Sequence, residues 1–117
     1  AGKGINALLQ AISQANTGSF LAVLKRFGDQ NSRFSFPMKG YTLALDFPIT
    51  VPNLKLMSQL DNITIQYGGR FYLAKDSRMT ASTFKQSEPR LAQFKAFKLQ
   101  RDSNRALDSE QAKRLDL

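Results

Sequence analysis

The chain has 117 residues, enough for one domain with a modest core. It contains no cysteine and no histidine, which excludes disulfides, thiolate metal sites, a Ser-His triad and imidazole acid–base chemistry. Hydrophobic residues make up 42%, charged residues 22%, and the formal net charge is +8, a globular balance suited to anionic partners such as phosphates, nucleic acid or an acidic membrane surface.

The excess charge is spread along the chain, +3 in residues 1–69 and +5 in residues 70–117. No apolar run approaches the roughly 18 residues that a bilayer-spanning helix needs. A chain that opens Ala1-Gly2-Lys3-Gly4, without Met, is expected to be part of a longer protein.

In chain order, Ile5, Leu8, Leu9 and Ile12 recur at three- and four-residue spacing and predict a short helix over residues 5–15. Asn16-Thr17-Gly18-Ser19 stops it. Residues 20–27 read as a strand with Phe20, Ala22, Leu24 and Arg26 on one face and Leu21, Val23, Lys25 and Phe27 on the other. Both faces are mostly apolar, so both are expected to be covered. A polar turn over residues 28–33 leads to Phe34-Ser35-Phe36-Pro37, read as a short edge element ended by its proline. Residues 41–49 alternate cleanly, with Tyr41, Leu43, Leu45 and Phe47 opposed to Thr42, Ala44 and Asp46.

Pro52 stands where proline opens a helix. Leu54, Met57, Leu60 and Ile63 carry the helix toward Tyr67, and Gly68 supplies a left-handed stop. Residues 70–74 are expected to form a third long strand. Residues 80–86 predict one or two helical turns. Ser87 and Pro89 predict the start of a better helix with Leu91, Phe94 and Phe97 turned inward. Asp102-Ser103-Asn104 is a turn, and residues 109–115 form a last helical turn. The expected fold class is α+β, a small, mostly antiparallel sheet with helices packed on one face.

Without histidine, any chemistry falls to Lys, Arg, Tyr, Asp or a bound cofactor. Lys25 shares its strand face with Leu21, Val23 and Phe27. Burying an unpaired ammonium is costly, so Lys25 either snorkels to the rim or points into a polar, anionic pocket walled by those apolar groups. Lys75 follows the Tyr72 segment directly. It is either a solvated strand-end lysine or an electrostatic stabiliser of negative charge on a substrate oxygen or reduced cofactor. Asp76 reads as a cap or as the partner of Arg78, and Asp46 as an ion-pair or turn residue. Lys85, Arg90, Lys95, Lys98 and Arg101 read as a solvated basic face. No Walker loop, dinucleotide fingerprint, zinc spacing or EF-hand loop is present. Gly69-Arg70-Phe71-Tyr72-Leu73-Ala74 loosely resembles the glycine–aromatic core strand of an RNA-recognition motif. That likeness supports an alternative, a free-standing basic α+β module binding RNA or DNA. A third reading is a protein-interaction module using an exposed sheet edge.

Four blocks in register resemble one family: Phe20-Leu21-Ala22-Val23-Leu24-Lys25-Arg26-Phe27-Gly28, Phe34-Ser35-Phe36-Pro37, Leu43-Ala44-Leu45-Asp46-Phe47-Pro48-Ile49 and Gly68-Gly69-Arg70-Phe71-Tyr72-Leu73-Ala74-Lys75-Asp76-Ser77-Arg78. The family is that of FAD-linked oxidoreductases of the vanillyl-alcohol-oxidase type, in the decaprenylphosphoryl-β-D-ribose oxidase and D-arabinono-1,4-lactone oxidase branch. The resemblance implies an FAD-binding domain and a substrate domain with an antiparallel sheet. Residues 1–69 would be part of the substrate domain, and residues 70–117 a C-terminal segment returning to the flavin domain. It implies catalytic roles for Lys75 and Lys25, a flavin-edge role for Tyr72, and a substrate pocket lined by Leu21, Val23, Phe27, Thr42 and Ala44. Thr42 and Ala44 stand where related chains often carry Asn and Cys. Leu107 replaces a usual aromatic, and Asp102-Ser103 an Asp-Pro.

The resemblance further implies that FAD serves the full-length protein, with its phosphate-binding parts in an N-terminal FAD-binding domain. These 117 residues alone are expected neither to hold FAD tightly nor to turn over substrate. The expected substrate is a sugar or polyprenyl-phosphate sugar. The expected location is cytoplasmic, with peripheral contact at the inner face of the membrane, and the chain by itself is expected to self-associate through uncovered core surface.

Overall fold

Small residues decide how the first two helices meet. In the computed structural model, which describes residues 2–74 and 76–117, helix α1 (Gly2–Gln14) buries Gly4 and Ala11. A Cβ on Gly4 would lie 3.1 Å from Cβ of Tyr67, just beyond helix α2 (Val51–Gln66). The Thr50 hydroxyl caps α2 by accepting from the Asn53 N–H at 3.3 Å, and Pro52 occupies the first turn, where its missing N–H costs nothing. The double glycine ends α2 for two reasons. Gly68 adopts φ +67°, a region that disfavours side chains. Gly69 lies so close to Thr64 that a Cβ would sit 2.7 Å from its methyl and 3.0 Å from its carbonyl oxygen.

Strands β1 (Leu21–Phe27) and β2 (Gly40–Asp46) form an antiparallel pair running from Leu21 opposite Asp46 to Phe27 opposite Gly40. Leu45 and Phe47, on one side of β2, pack with Leu8, Ile12 and Ile63 around buried Ala11, Leu56 and Leu60. Helices α3 (Ala81–Ser87), α4 (Leu91–Arg101) and α5 (Glu110–Leu115) follow. Hydroxyls of Thr80 and Ser109 cap α3 and α5. A second core gathers Met79, Phe84, Leu91 and Leu115, with Phe34, Phe71, Leu73 and Leu117 against it. The α+β class with helices on one face of a small antiparallel sheet is therefore as expected. Its radius of gyration of 15.2 Å exceeds the roughly 13 Å of a well-packed domain this long, as two small cores and an open hairpin require.

Several expectations are corrected. Residues 70–74 form no strand: among the described residues the sheet has two strands, β1 and β2. Phe71 and Leu73 do alternate inward while Tyr72 is exposed, but they pack on the helical core instead of a strand ladder. The RNA-recognition likeness thereby loses its central strand. The Phe34–Pro37 stretch is likewise a loop with no strand pairing. Strand β1 is not covered on both faces: Leu21 and Leu24 are 48% and 55% exposed, because no second layer lies over that part of the hairpin among the described residues. Ser87 ends α3, its hydroxyl donating to the Phe84 carbonyl at 2.9 Å; α4 starts after Arg90 without a side-chain cap. Leu91 is buried and Phe94 stacks on Phe34, but Phe97 faces out beneath the Arg101 guanidinium.

Candidate substrate face

The hairpin register sorts the sequence-predicted pocket residues. Val23 lies opposite Ala44, Lys25 opposite Thr42, and Leu21 opposite Asp46. Directly opposed residues of an antiparallel pair share a face, and side chains two apart along a strand do so as well. Leu21, Val23, Lys25, Phe27, Thr42 and Ala44 are thus brought to one face, the side away from Leu45 and the helical core. Lys25, Leu21 and Ala44 are exposed on it, and Val23, Thr42 and Phe27 are half-buried. The face is an open apolar surface carrying an ammonium group.

Tyr72 reaches the end of this face through an aromatic relay. The Phe27 and Phe36 rings meet edge-to-face at 5.9 Å, and Phe36 meets Tyr72 edge-to-face at 4.8 Å, within the range where such pairs attract. Tyr72 nonetheless leaves 56% of its surface exposed. Phe36 was not among the residues singled out from the sequence; its position just before Pro37 in a loop gave no periodic signal.

Lys75 lies outside the described residues. Its neighbours are tied down on both sides. The Gln111 amide donates to the Leu73 carbonyl at 2.6 Å. The Asp76 carboxylate accepts the N–H groups of Arg78 and Met79 at 3.2 and 3.0 Å and pairs with Arg114 at 2.9 Å. Asp76 is thus a turn cap, as expected, but its ionic partner is Arg114 and not the Arg78 guanidinium. Arg78 instead forms a bidentate pair with buried Asp61 of α2 at 2.7 and 2.8 Å. Both pairings join residues far apart in sequence, beyond the reach of local pattern.

Burial pushes the Asp76 carboxyl up, but the Met79 N–H, the Arg114 guanidinium and the Arg78 N–H together hold it below its ordinary value of 3.8. A carboxyl lowered on folding stabilises the fold above its unfolded value and loses that contribution as pH falls through the folded value. Acid unfolding should therefore steepen below about pH 4, and Asp76→Asn should flatten that part of the profile. Urea unfolding across a pH series checks it; an unchanged acid limb would remove Asp76 as a source.

The flavin implied by the resemblance can be tested against these residues. An exposed, aromatically supported Tyr72 ring fits the edge of a planar heterocycle. Among the described residues no glycine-rich loop opens a helix to cradle a pyrophosphate.

No protein-family model matches the chain. Comparison with curated proteins nevertheless gives a partial, domain-level homology to the FAD-linked oxidoreductases. Over 112 residues, 95% of the chain, it is 36% identical to the decaprenylphosphoryl-β-D-ribose oxidase of Mycolicibacterium smegmatis, of which it spans 24%. It is also 30% identical over 112 residues, 94% of the chain, to an uncharacterized protein in the mprA 5′ region of Streptomyces coelicolor, of which it spans 30%. The chain thus spans less than a third of the length of either relative.

Proposed function

We propose that this chain is the substrate-side, C-terminal part of an FAD-dependent oxidoreductase whose parent oxidises a secondary hydroxyl of a sugar, free or carried on a polyprenyl phosphate. The observation that carries this reading is the open hairpin face. It sets Lys25 and Thr42 among Leu21, Val23 and Phe27, with Tyr72 at its end, in a chain 36% identical to a sugar-lipid oxidase.

FAD, held by an N-terminal domain of the longer protein, would supply the hydride acceptor. This chain's residues would bind and orient. Lys25 Nζ offers a cation to a substrate phosphate or hydroxyl, and Thr42 Oγ1 a hydrogen-bond partner. Once the rest of the protein covers this face, its apolar wall would exclude water and strengthen the lysine's field. Lys75 would stabilise negative charge at the oxygen of the alcohol being oxidised, and Tyr72 would pack on the flavin edge. The division into a substrate-domain part, residues 1–69, and a returning segment, residues 70–117, suits two cores that fall mainly on either side of that boundary. A net charge of +8 suits a phosphate-bearing lipid at an anionic membrane surface, and no helix of the described residues is long and apolar enough to cross a membrane. The open hairpin face and edges are surfaces for the rest of the protein to cover.

The test is anaerobic addition of decaprenylphosphoryl-β-D-ribose to the full-length protein containing this chain. Loss of the oxidised-flavin absorbance is the expected result. A full-length protein that carries no flavin would overturn the reading.

A further inference from the structure

Phe34 and Phe36 are two residues apart, yet they go to different places. In extended chain, residues i and i+2 point to the same side. Here Phe34 enters the helical core, stacked on Phe94 at 3.8 Å and edge-on to Phe84 at 5.8 Å. Phe36 turns to the substrate face, against Phe27 and Tyr72. The switch occurs at Ser35, which has φ +70°. A non-glycine residue there is strained and stays only where its surroundings impose it.

Those surroundings are an ion pair. Glu88 is 2% exposed and binds Arg90 through both oxygens, Nε to Oε1 and Nη2 to Oε2, each at 2.7 Å. The same pair holds both backbone polar groups of Ser35. Its N–H donates to Glu88 Oε2 at 3.1 Å, and its carbonyl accepts from Arg90 Nη2 at 2.7 Å. Arg90 Nη1 also donates to the Ser32 hydroxyl at 3.0 Å and to the Ser32 carbonyl. A planar guanidinium with five donors suits such a cradle, and an ammonium group does not reproduce it.

We propose that the Glu88–Arg90 pair is a positioning device for the substrate face. By fixing Ser35 in the left-handed conformation it presents Phe36 between Phe27 and Tyr72, and so sets where the Tyr72 ring stands and how far the apolar wall extends past Lys25. Neither Glu88 nor Arg90 lies on the face; both act through Phe36. The consequence for turnover rests on the oxidoreductase reading above, whereas the consequence for Tyr72 does not.

The experiment uses the full-length protein labelled with 3-fluorotyrosine, the Tyr72 resonance being assigned by its loss in Tyr72→Phe. Phe36→Leu, which removes the ring and leaves the ion pair, marks the resonance position of an unsupported Tyr72. Arg90→Lys keeps the charge and breaks the fork; it should move the Tyr72 resonance toward the Phe36→Leu position. Ser35→Gly, which accepts the same φ without strain, should leave it in place. In the same protein, Arg90→Lys and Phe36→Leu should each raise KM for decaprenylphosphoryl-β-D-ribose roughly three- to tenfold, the worth of one aromatic contact, with kcat and FAD content little changed. A Tyr72 resonance unmoved by Arg90→Lys in folded protein overturns the inference. So does a moved resonance with unchanged KM. If the wild-type protein shows no flavin and no turnover, the oxidoreductase reading falls, and the resonance alone decides the positioning role.

Discussion

Lys75→Met in the full-length protein is expected to slow reduction of its flavin by substrate about 10²- to 10³-fold, the usual loss when a preorganised stabiliser of developing charge is removed, while FAD stays bound. The substitution keeps a flexible chain of similar reach and removes the ammonium. The expected pattern is a fall in kcat and kcat/KM together, since charge on the alcohol oxygen is present chiefly in the transition state. Lys25 offers a contrast. It stands exposed on the hairpin face opposite Thr42, where it would meet ground state and transition state alike, so its removal should act mainly through KM. Stopped-flow reduction under anaerobic conditions, with FAD content measured in parallel, separates the two. Unchanged reduction in Lys75→Met would take Lys75 out of the mechanism.

What could be read in the sequence, and what could not, divides along the range of the interactions. Helices α1 and α2 followed from apolar spacing, Pro52 and Gly68, all signals within a few residues, and α3 and α5 coincide to within a residue with the helical turns expected over residues 80–86 and 109–115. Strand β2 followed from period-two alternation and β1 from its apolar run, and the hairpin register keeps together the pocket residues that family resemblance had grouped. The third strand failed because alternation reports a buried and an exposed side without saying what covers the buried one. Phe71 and Leu73 bury themselves on helices. The covering of β1 failed for the related reason that apolar composition shows a surface to be buried but not the partner that buries it. The pairs Asp61–Arg78, Asp76–Arg114 and the contacts from Glu88 and Arg90 to Ser32 and Ser35 join positions 17 to 58 residues apart, and no local pattern reveals them. Local cues misplaced the start of α4 because Ser87 and Pro89 resemble an N-terminal cap, yet the hydroxyl is used to close the preceding helix.

The largest stability effect should come from Phe84→Ala. Phe84 is 1% exposed, packs among Met79, Leu91 and Leu115, and meets the Phe34 ring edge-on. Truncating a fully buried Phe costs about 3–5 kcal/mol, through lost transfer energy and the cavity left behind. A domain of this size has only about 6–17 kcal/mol in hand, so thermal unfolding should shift down by roughly 10–20 °C. Leu56→Ala, in the other core, should cost about 2–5 kcal/mol. Because Leu56 and Phe84 belong to separate clusters with no shared member, the double mutant should be additive within about 0.5 kcal/mol. Strong coupling would mean that the two cores respond as one packed unit. Phe84→Ala should also reach the substrate face, since it removes one of the two rings that hold Phe34, the neighbour of Ser35. With Phe34 freed to shift into the cavity, the left-handed turn loses its anchor on the core side and Phe36 loses its fixed approach to Tyr72. A Tyr72 resonance that moves in Phe84→Ala and stays fixed in Leu56→Ala would trace that route from core to site; equal movement in both would show only general loosening.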